Sequence, residues 1–162
     1  MTTPVPGLDA DEEILWRSLV ELVVRLPRVL DEEFERAAKV GMTDYSVLVA
    51  LSEAGAGADS GVGELRMGEL AEATALSRSR ITRVVDDLVR RSLVTRRRSA
   101  LDGRSALAAI TPAGLAVLAT AYPGHLARVR ALVLDHVTRS EMRTMTQVLG
   151  RLLEVLRDDA RD

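Results

Sequence analysis

The segment MGELAEATALSRSRITRVVDDLVRRS, residues 67–92, constrains this chain more than any other stretch. Its composition and spacing predict a short helix from Met67 to Ala73, a tight turn through Thr74 to Leu76, and a second helix capped by Ser77. In the second helix Ile81, Val84, Val85 and Leu88 recur at i, i+3, i+4 and i+7 and form one apolar stripe. The opposite face then carries Ser79, Arg83, Asp86 and Arg90, flanked by Arg78, Arg80 and Thr82. Two short helices joined in this way are a helix-turn-helix pattern.

Charge singles out the same region. From Ser77 to Arg104 the chain holds nine arginines and three acids, whereas the remaining residues hold thirteen basic and twenty-one acidic side chains. A positive patch on an acidic body is the electrostatic footprint of phosphate binding. The first two turns of the second helix offer arginines and hydroxyls, the groups that reach guanine edges and phosphates when the N-terminal part of a helix enters the major groove. Acids begin only at Asp86, so base contact is expected from Ser77, Arg78, Ser79, Arg80, Thr82 and Arg83. The alternative for this arginine-rich face is a solvated surface laced with salt bridges.

The segment that follows, LVTRRRSALDGRSALAAI, reads as two short strands around Asp102-Gly103, a dipeptide suited to the positive φ angles of a tight hairpin turn. SALAAI is a weak strand by propensity, with Ile110 its one β-branched residue, and the turn decides the reading. Such a wing would bring Arg96, Arg97, Arg98 and Arg104 beside the second helix, against phosphates or the adjacent minor groove.

Before the motif, Leu8 to Ala38 is a long amphipathic helix whose apolar face runs from Ile14, Leu15 and Leu19 to Leu30 and Phe34, with a kink expected at Pro27. Gly41 is expected to stop it and Thr43 to cap a second helix reaching about Ala54. The glycine-rich stretch 55–63 follows a helix, lacks the lysine and hydroxyl of a phosphate loop, and reads as a flexible surface loop of no assigned role. In the last helix Met142, Met145, Val148, Leu149, Leu152, Leu153 and Leu156 form a stripe wider than one small lobe can use. A two-fold dimer would cover it; a monomeric bundle using the stripe internally is the alternative.

One Trp, two Tyr and one Phe leave Leu, Val, Ala and Ile to build the core, a composition that favours helices. No apolar run is long enough for a membrane span and the N-terminus is not a signal sequence, so a soluble, cytoplasmic protein is expected. The absence of cysteine removes disulfides and thiolate metal sites. Neither His125 nor His136 stands in a cluster at metal-ligand or catalytic spacing, so no metal, no cofactor and no enzymatic activity are expected.

The segment RMGELAEATALSRSRITRVVDDLVRRSLVTRR, the wing Asp102-Gly103-Arg104 and ITPAG at 110–114 together resemble the multiple antibiotic resistance regulator (MarR) family of winged helix-turn-helix transcription factors. GMTDYSVLVALSEAG and the C-terminal helices extend the likeness over nearly the whole chain. Gly103 stands where many members have arginine, and the glycine loop is longer than usual. The resemblance implies a mainly α fold with a small β-hairpin wing: a disordered tail over 1–8, dimerisation helices over 9–40 and 112–160, and a winged helix-turn-helix lobe over 41–111. It implies that Arg104 enters the minor groove, that Asp102 pins the wing by pairing with an arginine, and that the helix from Ser77 lies in the major groove.

The function implied is a ligand-responsive repressor that binds a pseudo-palindromic double-stranded operator as a homodimer, with an activator or dual regulator as the near alternative. A winged-helix protein-interaction module is the rival from another class, and it would show no arginine bias on the recognition face. Family effectors are small aromatic acids and other lipophilic compounds, held between the dimer helices and the lobe. For such a site Trp16, Arg25, Tyr45 and His125 are the side chains to inspect.

Overall fold

The computed structural model describes residues 6–56, 63–98 and 106–159. Its elements run α1 (Ala10–Ala38), α2 (Met42–Ala56), β1 (Glu64–Arg66), α3 (Met67–Thr74), α4 (Arg78–Arg90), β2 (Val94–Arg98), β3 (Ala106–Ile110), α5 (Pro112–Leu132), a 3-10 turn (Leu134–His136) and α6 (Arg139–Asp159). Two compact units are distinguished, Met1–His125 and Leu126–Asp162. The expected mainly helical, winged architecture is present, with one strand more than the sequence suggested.

Helix α1 opens with a capping box in which the Asp9 carboxylate accepts from the Glu12 amide and Glu12 accepts from the Asp9 amide, both at 2.9 Å. It passes Pro27 as one helix and ends where Lys39 adopts a left-handed conformation, φ 55°. Lys39, not Gly41, therefore stops it. Helix α2 likewise begins at Met42, one residue before the expected cap Thr43. Its leading Met42 amide donates to the Asp31 carboxylate of α1 at 2.5 Å, so the cap is supplied from another helix.

The core of the first unit is aliphatic. Leu48, Leu51, Leu70, Ile81, Val85 and Leu88 are fully buried, so the stripe of α4 seats it against α2 and α3 as the spacing implied; Val84, on the edge of that stripe, is half-buried. Only the end of α1 joins this core, through Leu30 and Phe34, while Ile14, Leu15, Leu22 and Val23 remain exposed. In the second unit α6 buries none of its residues, and Val148, Leu149, Leu152, Leu153 and Leu156 lie open. Its start is nonetheless well made: Thr138 and Glu141 form reciprocal hydrogen bonds, and those from Thr138 hold the Glu141 carboxyl below the usual range.

The three strands form an antiparallel sheet in the order β1-β3-β2. Strand β3, the weakest of the strands by propensity, is the central one and gains two ladders instead of one. Ala108 and Ile110 face the core, and β1 closes the far edge just after the stretch read as a glycine-rich loop, where no strand was expected. What permits β1 is Gly63. A Cβ there would lie 1.8 Å from the Leu51 carbonyl oxygen, while the Gly63 carbonyl accepts from Ile110 at 3.0 Å. Of the rest of that expected loop, Gly55 and Ala56 instead end α2, and 57–62 lie outside the described residues.

The ITPAG segment has a similar logic. Thr111 caps α5 by accepting from the Gly114 amide at 3.0 Å, its hydroxyl faces the carbonyls of Ser92 and Leu93 at 2.8 and 3.0 Å, and Pro112 takes the first helical position. A Cβ on Gly114 would come within 2.3 Å of the Leu93 oxygen. Gly63→Ala should accordingly destabilise the protein by about 1–3 kcal/mol or more, because backbone must shift to admit one methyl. Gly68→Ala, where nothing lies within 4 Å, is the matched control in urea unfolding and should cost far less.

Candidate nucleic-acid interface

The turn between α3 and α4 is built locally. Thr74 returns its hydroxyl to the Leu70 carbonyl at 2.7 Å, Ala75 closes α3 in a left-handed conformation, and the Ser77 hydroxyl accepts from the Arg80 amide at 3.3 Å to start α4. With Ile81, Val85 and Leu88 buried, the remaining face of α4 is set outward. Ser77, Arg78, Ser79, Arg80 and Arg83 are exposed and Thr82 is half-buried, its hydroxyl donating to the Arg78 carbonyl at 2.9 Å. No acidic partner engages Arg78, Arg80 or Arg83 among the described residues.

Other arginines of the positive patch are committed to acids. Arg96 pairs with Asp86 of α4 at 2.8 Å, and Arg97 forms a two-pronged pair with Glu64 at 2.8 and 2.7 Å. In the sheet register Arg97 stands opposite Leu107 and Glu64 opposite Ala109, so this pair crosses the central strand diagonally. The alanine leaves room for the crossing, and Ala109 is buried. Both pairs are solvent-accessible, and pairs of that kind contribute only about 0–1 kcal/mol. Phosphate could therefore replace the carboxylates at little cost. Arg98 is exposed and has no ion pair among the described residues. Asp102, Gly103 and Arg104, the expected wing tip, lie outside the described residues.

Arg91, just past α4, does something else. Its guanidinium donates to Asp44 of α2 at 2.8 Å and to the Lys39 carbonyl at 2.5 Å, and stands 3.5 Å from Asp87. It is two-thirds buried, with Asp44 more so. One side chain thus ties the exit of α4 to the corner between α1 and α2. Asp87 is held below the ordinary carboxylate range by its hydrogen bond from Arg90, helped by Arg91. The sequence marked Arg91 as one more positive charge in a run; nothing local distinguishes its structural task.

The four residues suggested for a small-molecule site separate. Tyr45 and His125 come together with Phe34, with ring centroids 4.2 Å apart for Phe34–Tyr45, 4.8 Å for Phe34–His125 and 5.1 Å for Tyr45–His125. Trp16 and Arg25 are exposed on α1, the latter paired with Glu21, and neither lines the clefts at this cluster. Two adjoining open clefts of about 430 and 320 Å³ both reach Tyr45, Val49 and Glu53. Tyr122 and Leu118 complete one, Phe34 and His125 the other. Phe34, Glu53 and Tyr122 were not singled out by sequence, because helical spacing marks them as core or surface without saying which cleft they share. Burial, reinforced by Tyr122, raises the Tyr45 hydroxyl pKa. Among the described residues there is no helix long and apolar enough to cross a membrane and no cluster able to hold a metal ion.

The MarR family model matches residues 40–105, the span from just past α1 to the residue before β3. Sco3205 of Streptomyces coelicolor, a MarR family transcriptional regulator solved in complex with DNA, is 30% identical, with 96% of this chain and 93% of that one aligned and a TM-score of 0.87. The chain belongs to the MarR family. Its fold is the winged helix-turn-helix of those transcriptional regulators, which are transcription factors and not enzymes. AbsC of the same organism, another MarR family regulator, is 27% identical over 95% of this chain and 99% of its own, TM-score 0.85. BpsR of Bordetella bronchiseptica shares the fold at 19% identity, with 83% and 98% covered and a TM-score of 0.66. No curated protein matches by sequence.

Burial lowers the pKa of His125, whose Nδ1 finds no hydrogen-bond partner among the described residues. The folded state therefore prefers the neutral ring, and the unfolded chain binds the proton first as pH falls. Stability should be intact above the ordinary imidazole value of about 6.5 and decline as pH drops through and below it. His125→Phe should flatten that part of the profile in urea titrations at a series of pH values. Parallel profiles for the two proteins would show that His125 is not responsible.

Proposed function

We propose that this MarR family member is a cytoplasmic, sequence-specific regulator that binds double-stranded operator DNA as a homodimer and represses transcription until a small effector releases it. The observation that carries the reading is the charge economy of α4: Arg78, Arg80 and Arg83 are exposed at its first turns without an acid partner among the described residues. An interaction module has no need of such a face. The DNA complex of Sco3205 supports the same role. On this reading Ser77, Arg78, Ser79, Arg80, Thr82 and Arg83 meet the major groove, Arg96 and Arg97 exchange carboxylates for phosphates, Arg98 meets phosphate directly, and Arg104 enters the minor groove with Asp102 and Gly103 shaping the turn.

The homodimer is supported by apolar faces that neither unit covers within itself, on α1 from Ile14 to Val24 and on α6 from Met145 to Leu156. Helices outside residues 41–111 would then hold the dimer and the lobe between them would hold DNA. Charged substitutions at Leu149 and Leu153 should lower both the solution mass and the affinity for DNA, read by light scattering and by titration. A wild-type monomer that still binds an inverted repeat tightly would overturn the dimer.

Selection from random DNA should return pseudo-palindromes whose half-site centres lie about 10 base pairs apart or a multiple of that, because a two-fold dimer presents its recognition helices about one duplex turn apart. Arg83→Ala should flatten base preference within each half-site, by roughly 1–3 kcal/mol if the contact is bidentate. Recovery of unrelated or asymmetric sequences would count against the model. The effector part is supported by the clefts at Tyr45 and by the shared fold with BpsR, whose DNA binding is regulated by 6-hydroxynicotinic acid. Reporter assays on the recovered promoter separate repression from activation.

A further inference from the structure

We propose that the clefts at Tyr45 take a small lipophilic cation, a protonated amine or a quaternary ammonium, and discriminate against aromatic acids. The inference rests on the effector part of the reading above and is independent of the DNA-binding part. The chain carries twenty-two lysines and arginines, yet among the described residues none lines either cleft. The charged side chain that both clefts share is Glu53, and among the described residues it has no ion pair or hydrogen bond from a side chain. The walls beside it are aromatic, with Tyr45 common to both clefts, Tyr122 in one and Phe34 in the other.

These groups have opposite consequences for the two signs of ligand charge. An aromatic carboxylate could bury its ring there, but its anion would lose water without gaining a cationic partner and would stand near Glu53. His125 supplies no such partner, since burial favours its neutral form. A cation with an apolar body meets the exposed ring of Tyr122 and the Glu53 carboxylate that both clefts share, while Val49 and Leu118 receive the hydrocarbon. Acid and aromatic groups thus favour the same sign of charge. Tyr45 also adjoins Asp44, the partner of Arg91, so an occupant pressing on Tyr45 lies one residue from the tie to the exit of α4.

Calorimetry on the full chain without DNA tests the charge preference with three probes of similar size at constant ionic strength: benzyltrimethylammonium, its neutral isostere neopentylbenzene, and phenylacetate. The cation should bind about tenfold more tightly than the neutral compound, the advantage expected of ring faces and one carboxylate acting together. Phenylacetate should bind more weakly than either. Glu53→Gln, at an exposed position where folding is not at stake, should remove most of the cation's advantage while leaving the neutral compound unchanged. Tyr45→Leu should weaken the cation selectively as well. Equal or tighter binding of phenylacetate, no preference of cation over neutral, an advantage untouched by both substitutions, or no binding of any probe at millimolar concentration would each overturn the proposal. Operator titrations with the same probes separate this from the effector reading. An acid that displaces the operator and competes at Tyr45 would leave effector control standing and refute only the charge assignment; probes that fill the cleft without altering operator affinity would refute effector control instead.

Discussion

Just before β1, the backbone at Gly63 meets the carbonyl of Leu51 so closely that no side chain fits between them. That contact sets the sheet against α2, and everything that faces outward from the lobe is positioned from it. Gly63 also accepts from Ile110, which fixes β3, and β3 in turn carries β2 and its arginines. Just past the same end of β3, Thr111 and Gly114 repeat the arrangement against Ser92 and Leu93, so the chain leaving α4 and the chain entering α5 are joined by hydrogen bonds and not by apolar packing alone. A sheet containing so many alanines has little intrinsic preference to form. It forms because its central strand is paired on both sides and its C-terminal end is fixed.

The arginines divide according to what lies within reach. On α4 the apolar stripe turns Arg78, Arg80 and Arg83 away from the protein, and the acids of that helix come too late in the sequence to meet them. Arg96 and Arg97, on a strand that passes beside α4 and β3, meet Asp86 and Glu64 and are held in extended, ordered positions. Such exposed pairs contribute little to stability. Their effect is to keep side chains with large rotamer freedom near the surface where phosphates would pass, and to neutralise them when no phosphate is there. Arg91 is the exception, with a largely covered acid and a main-chain carbonyl as partners, and it serves the architecture.

The aromatic cluster occupies the place where the end of α1, the start of α2 and the middle of α5 converge within the first unit. Phe34, Tyr45 and His125 stack there in a chain otherwise almost free of aromatic rings. Their large faces leave clefts that aliphatic packing would close, and the neighbouring Glu53 gives those clefts a sign. Ring stacking, the Asp44–Arg91 pair and the Lys39 carbonyl lie within one corner, which joins the cleft to the exit of α4 through short, directional contacts.

Much of this was legible from residue order alone, wherever the determining forces are local. The Ser77 cap, the tight turn before it and the stripe of Ile81, Val85 and Leu88 depend on neighbours within one or two helical turns, and the outward face of α4 follows from that stripe by geometry. The unusual ends of α1 and α2 were less legible, because Lys39 takes a left-handed conformation normally left to glycine and the cap of α2 comes from Asp31, eleven residues away. Strand β1, the pairing of Arg97 with Glu64 and the separation of Tyr45 and His125 from Trp16 and Arg25 were decided by the tertiary structure. Each depends on groups distant in sequence, between 33 and 80 residues apart, whose meeting is set by close backbone approach and burial and leaves no periodic trace in the chain.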